Sequence, residues 1–278
     1  MIKITYEAQD LLDDVASEFS RLNEVSAVAL SGSKWGELAD ELSDIDLYIY
    51  SETEPSKIWR SELAQQYGKH ESIGNEFWEH GDEWVATRNG VVVDIMYRSP
   101  SWIEEQFVRV IDRHQASVGY STCFVHNVLC SKPLYDRDGW YESLQEKARQ
   151  PYSDRLQKAI IAKNHPILRD TLSSYFHQIE IALSRNDIIS INHRVTALLA
   201  SYFDILFAVN RVFHPGEKRL LGYALAKCPK RPPQIQIQVN GLLASIADTE
   251  QFILLQRVNE LLDGLDAFLV SEGLISAK

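Results

Sequence analysis

The sequence predicts an α+β protein, with a mixed β-sheet flanked by helices in its first half and an all-α helical domain in its second. Three observations predict this. Short β-branched runs, VSAVAL and IDLYIY, alternate with helix-spaced segments before residue 100. Two further strand-like runs meet at Asn89-Gly90, the strongest local signal for a tight hairpin. From about Ser153 onward the apolar spacing is almost entirely helical. Strands and helices followed by helices alone point to two domains, placed at residues 1–150 and 151–278. A length of 278 residues agrees with two domains.

The elements follow in order. Leu11, Leu12, Val15, Ala16 and Phe19 recur at helical spacing, giving an amphipathic helix over residues 6–22. Residues 25–30 form a buried strand that ends at Ser31-Gly32-Ser33. A short helix is expected over 35–42, and a second strand over 45–50. Pro55 opens a helix over 56–67, near the start where proline is tolerated. Residues 83–88 and 91–98 are the hairpin strands, and Pro100 starts a helix reaching about residue 114. Residues 127–134 fit a short strand or loop. The second half carries helices over 154–162, 167–184, 188–212, 233–247 and 250–269.

Composition bounds the function. With 45% hydrophobic and 24% charged residues the chain has an ordinary globular composition. No apolar run reaches the roughly 20 residues of a membrane span, and the acidic N-terminus does not read as a secretory signal. Three cysteines at unrelated spacings form neither a disulfide framework nor a zinc pattern, as expected for free thiols in a reducing cytoplasm. The net charge of −11 makes nucleic acid an unlikely partner and suits a cationic small molecule. The apolar C-terminal helices are compatible with an intramolecular core or a homodimer.

The segment LSGSKWGELADELSDIDLYIY carries the candidate chemistry. Asp44 and Asp46 are two apart, so they share one face at the start of a strand, while Ile45, Leu47 and Ile49 point the other way. Paired carboxylates repel each other, and a divalent cation between them removes the penalty. Oxygen-only donors suit magnesium, which takes carboxylates together with substrate phosphates. Gly32 lets backbone N–H groups approach a phosphate, and a following helix N-terminus adds a favourable dipole. An Asp-x-Asp pair alone usually caps a turn or sits in solvent. It gains weight from the order strand, Gly-Ser, about ten residues, Asp-apolar-Asp, strand.

Gly32-Ser33 followed by Asp44-Ile45-Asp46-Leu47 resembles the signature of the DNA-polymerase-β-like nucleotidyltransferase superfamily, which includes aminoglycoside, lincosamide and antitoxin-type nucleotidyltransferases. The resemblance covers roughly residues 1–135. It implies a nucleotidyltransferase fold and a third carboxylate on a neighbouring strand, where Asp94 of VVVDIMY stands. Val92, Asp94 and Met96 share one strand face, and an acid in so apolar a run needs a partner. The resemblance further implies two Mg2+ ions held by Asp44, Asp46 and Asp94, and a nucleoside triphosphate such as ATP. Its phosphates would meet Gly32, Ser33 and Lys34, where many members instead carry an arginine and a small residue.

A basic residue of the helical domain commonly reaches the triphosphate in the antibiotic-modifying group; Lys218 and then Arg219 are the candidates, against the alternative of a solvated turn. Asp94, Glu76, Glu79 and Glu83 are all candidates for a general base. Trp78 and Trp84 line a pocket or pack the core. The expected reaction is metal-dependent nucleotidyl transfer to a hydroxyl of a small, aminoglycoside-like acceptor. The alternatives are transfer to a protein or tRNA, and a non-catalytic nucleotide-binding regulator.

Overall fold

A computed structural model of the chain describes residues 6–31, 44–77, 79–247 and 251–277. The expected short helix over 35–42 lies outside these residues. The chain forms two compact units, one of Met1–Val108 with Phe124–Gln150, the other of Arg109–Cys123 with Pro151–Lys278. The α+β architecture is as expected: a mixed sheet flanked by helices, and a separate helical bundle.

In the first unit the elements run α1 (Tyr6–Ser20), β1 (Val25–Leu30), β2 (Ile45–Ser51), α2 (Lys57–Tyr67), β3 (Gly68–Asn75), β4 (Gly81–Ala86), β5 (Val92–Arg98), α3 (Pro100–Phe107), α4 (Cys123–Cys130), β6 (Lys132–Asp136) and α5 (Trp140–Ala148). The six strands lie in the order β3-β4-β5-β2-β1-β6. Among the described residues only the central pair β2–β5 is parallel; the other pairs are antiparallel.

One sheet face is apolar. Ile45, Leu47 and Ile49 of β2 join Val93 and Ile95 of β5 and Trp84 of β4 in a core with Leu11, Leu12, Val15 and Phe19 of α1 and Leu63 of α2. Trp84 is therefore a core residue, 1% exposed. The opposite face changes character along its length. Toward the C-terminal ends of β2 and β5 it is covered, with the Tyr50 ring 5.4 Å from Trp140 and 5.3 Å from Tyr141 of α5. At the strand beginnings it carries the acids.

Three local differences from the sequence reading have physical reasons. β3 has no apolar pattern to announce it, because it is an edge strand whose residues 69–72 are exposed. Its ladder to β4 is interrupted at two places, as edge strands often are. Of residues 127–134, expected as a strand or loop, 127–130 belong to helix α4, where Val125 and Val128 at helical spacing are both buried, and 132–134 to strand β6. The hairpin turn comprises residues 87–90, with Gly90 at φ 71° and its N–H donating to the Ala86 carbonyl at 2.9 Å.

The second unit contains α6 (Asp154–Asn164), α7 (Pro166–Arg169), α8 (Tyr175–Ser184), α9 (Ile188–Val209), α10 (Leu220–Lys227), α11 (Ile235–Ala244) and α12 (Gln251–Ser271). α9 is its axis, and Val195, Leu198, Tyr202, Ile205 and Leu206 are fully buried. The single helix expected over 167–184 is divided at residues 170–174, where Ser174 caps α8 by accepting the His177 N–H at 3.3 Å. Arg169 pairs with Asp263 at 2.6 Å and His165 with Asp266 at 2.6 Å, tying α12 to the α6–α7 corner. No disulfide joins the three cysteines. No described helix is long and apolar enough to cross a membrane.

Candidate active site

The acidic residues are placed by strand alternation and by register. β2 turns Ile45, Leu47 and Ile49 into the core, which leaves Asp46 on the opposite face. β5 does the same with Val93 and Ile95, leaving Asp94. In the parallel ladder Asp46 is the partner of Asp94, and in the antiparallel ladder Asp94 is the partner of Glu83. Three carboxylates thus form one row across β2, β5 and β4, at the spacing of about 4.8 Å between adjacent strands. Asp44 is exposed one residue before β2. On the far side the Ser31 N–H donates to the Asp46 carbonyl at 2.8 Å, so the chain leaving β1 runs beside the row.

The electrostatics follow from this crowding. Burial first, and then the charges of Asp46, Glu83, Asp44 and Glu79, push the Asp94 carboxyl up to about 6. A cation would relieve that repulsion. The donors are carboxylate oxygens only, the chemistry of a magnesium site completed by water and substrate phosphates. Among the described residues no group of three or more His, Cys, Asp or Glu is disposed around a single point for a metal. The fit is that of a carboxylate pair, Asp46 and Asp94.

Further along the same face lies a feature the sequence reading missed. Arg98, two alternations beyond Asp94, is 8% exposed and pairs with Glu79 through Nη2 at 2.7 and 2.9 Å and Nε at 3.1 Å. Its guanidinium lies 4.0 Å over the Tyr48 ring, with Trp102 and Phe124 alongside. Burial works against its charge, yet Tyr48, Tyr50 and Glu79 hold its pKa above the ordinary value. Between Glu79 and Glu83 stands Gly81, opposite Met96. A Cβ there would meet the Ile95 carbonyl oxygen at 2.2 Å, so β4 and β5 approach too closely for any side chain. Extending the alternation that selected Asp94 by two residues selects Arg98.

The other expected residues are placed as follows. Gly32, Ser33, Lys34 and Trp78 lie outside the described residues. Lys218 and Arg219 are exposed in the turn before α10, in the second unit. Of the base candidates, Glu79 is engaged by Arg98, Glu83 belongs to the acid row, and Glu76 is exposed in the β3–β4 connection.

No protein-family model and no curated protein matches the sequence. Solved structures of similar shape include a nucleotidyltransferase-like protein from Exiguobacterium sibiricum 255-15, at TM-score 0.45 and 14% identity, covering 96% of this chain and 76% of that one. A Thermotoga maritima CCA-adding enzyme complexed with tRNA is similar at TM-score 0.33 and 10% identity, covering 97% and 83%. A CCA-adding enzyme with ATP is similar at TM-score 0.30 and 9% identity, covering 96% and 83%. These likenesses are distant, and no residue role is transferred from them.

One expectation is corrected. Nucleic acid was expected to be an unlikely partner, and a tRNA complex among the similar structures overturns that. The charge argument fails for a physical reason as well. The sheet unit has 12 basic and 26 acidic residues, a net −14, whereas the helical unit has 16 basic and 13 acidic residues, a net +3. The overall −11 therefore describes one unit and misdescribes the other.

Proposed function

We propose that the protein is a metal-dependent nucleotidyltransferase. The observation that carries this reading is the Asp46–Asp94 pairing at the start of two parallel strands, beside the chain leaving β1. A hydroxyl oxygen of the acceptor attacks the α-phosphorus of a nucleoside triphosphate. The bond from that phosphorus to the bridging oxygen breaks, pyrophosphate leaves, and the hydroxyl proton passes to a base. Mg2+ bound there would supply charge stabilisation for the attacking and leaving oxygens. Asp46 and Asp94 hold it, with Asp44 at the rim, while Gly32, Ser33 and Lys34 cradle the phosphates. Glu83, exposed beside Asp94 in the row, is the base this arrangement favours.

The acceptor in this reading is a small hydroxylated molecule bearing amines. Its support is the net −14 of the sheet unit, which concentrates cations near the acids. The second reading is transfer to RNA, favoured by the net +3 of the helical unit.

The test is incubation with magnesium and each of four α-labelled nucleoside triphosphates, against a panel of polyhydroxylated amines and against total tRNA. Label on a small molecule supports the first reading, and label on RNA the second. Magnesium-dependent triphosphate binding without label on any acceptor or release of pyrophosphate would replace both with a nucleotide-binding regulator.

A further inference from the structure

The helical unit contains a groove of about 380 Å³, the size range of small-molecule sites. Tyr120 and Tyr175 line it together with Asn192, His193 and Thr196 of α9, and the Tyr120 ring packs edge-on to His214 at 4.8 Å. Asn192 and Thr196 are one helical turn apart, on one stripe with Ala200. The Thr196 hydroxyl donates to the Asn192 carbonyl at 2.9 Å, so its remaining capacity is as an acceptor. Asn192 and His193 are exposed.

The turn that presents Tyr120 is strained and held in place by buried groups. Gly119 has φ 67° and Tyr120 φ 52°, two successive left-handed residues, the second of which is bulky and unfavourable there. A Cβ at Gly119 would lie 3.1 Å from that of Ala200, so the turn is seated directly on α9. Asn164, fully buried, accepts the Gly119 N–H at 2.8 Å and donates to the Ser117 carbonyl at 3.0 Å. Asp204, 1% exposed, accepts the Ser121 hydroxyl at 2.6 Å and the Ser121 N–H at 3.2 Å. A backbone outlier fixed by such a clasp is a pointer to function, because the folded state spends stability to keep it.

We infer that this groove binds an unpaired nucleobase. Two tyrosines on separate elements line the groove with aromatic side chains, and the exposed Asn192 amide, with both donor and acceptor, suits a base edge. That combination recognises bases outside a duplex. The net +3 of this unit suits a phosphate-bearing partner. The shared chemistry has two sources, a free nucleoside or a single-stranded nucleic-acid end. The inference does not rest on the transfer reaction, and its test removes metal.

The experiment titrates the full chain, in excess chelator, with adenosine, guanosine, cytidine and uridine, and separately with a fluorescein-labelled single-stranded oligoribonucleotide. Saturable binding is expected. Its Kd should rise at least about fivefold in Asn192→Ala and in His193→Ala, since stacking and edge contacts are each worth that much or more. Thermal melts of both variants should match the parent, because both residues are exposed. Nucleoside binding lost in the groove variants assigns the free ligand, and oligonucleotide binding alone, lost in the same way, assigns the single-stranded end. The inference is overturned by absence of saturable binding in both arms. It is equally overturned by binding that the groove variants leave intact.

Discussion

Asp46 and Asp94 face each other across the parallel pair β2–β5, one strand spacing apart and on the face opposite the core. Strand pairing forces this proximity, so the two charges cannot separate by side-chain rotation alone. Under the proposed function, holding a metal ion offsets the cost of that proximity. Asp46→Asn and Asp94→Asn should each reduce transfer by at least about a hundredfold. Neither should lower the Tm, because each removes a repulsion; Asp94→Asn should raise it slightly. Initial rates and thermal melts on the same preparations check both statements. A folded Asp94→Asn enzyme with parental activity would remove Asp94 from the site.

Metal binding should depend on pH with a definite sign. The folded Asp94 carboxyl sits at about 6, above its ordinary 3.8, so its proton contributes stability at low pH that is lost as pH rises through about 6. Magnesium competes with that proton. The increase in Tm produced by 10 mM magnesium should therefore be larger at pH 8 than at pH 5. In Asp94→Asn the increase should be smaller and nearly independent of pH. Differential scanning fluorimetry across this range reads the effect directly.

A second buried charge pair governs stability rather than chemistry. Arg60 and Asp82, each 2% exposed, are 2.9 Å apart on the core face. Asp82 also accepts the Tyr97 hydroxyl at 2.7 Å and the Gly74 N–H at 2.8 Å, tying α2 and β5 to the β3–β4 hairpin. Asp82→Ala leaves the buried guanidinium with Glu54 alone, at 2.8 Å, removes the acceptor of the Tyr97 hydroxyl and the Gly74 N–H, and should cost about 3–5 kcal/mol. The double variant Arg60→Met with Asp82→Leu should recover much of that loss. Urea unfolding of the three proteins gives the comparison.

Asp204 should give the helical unit its own acid dependence. Burial raises its carboxyl to about 6, and the Ser121 and Asn164 donors offset this only in part. A raised folded pKa means the native state binds the extra proton between about 4 and 6. The stability it contributes is present below pH 4 and lost as pH rises through 6, on the order of 3 kcal/mol from a shift of about two units. Asp204→Asn should flatten the stability slope in that window. An unchanged slope would place the titration elsewhere.

The central strands were legible in the sequence because they are short apolar runs rich in β-branched residues, most of them buried. The periods at residues 25–30, 45–50 and 91–98 name the core residues that the folded chain buries. The common face of Val92, Asp94 and Met96 follows from strand alternation alone, whereas Asp44 lies one residue before β2. β3 was not legible, because an exposed edge strand is specified by its ladder to β4 and carries no burial pattern. Arg98 and Glu79 stand 19 residues apart and meet only because β4 and β5 pair in this register.

Local chemistry thus determined the two-part α+β plan, the apolar faces and the candidate acids, since each depends on periodicities of two or 3.6 residues that a linear sequence displays. Tertiary structure alone decided that β2 and β5 run parallel with Asp46 against Asp94, and that Glu83 extends the row. It also decided that segment 109–123 belongs with the helices, where Asn164 and Asp204 hold its strained turn. Those outcomes depend on strand order and on contacts between residues distant in the chain, where the free energy of pairing is set by partners that local sequence does not name.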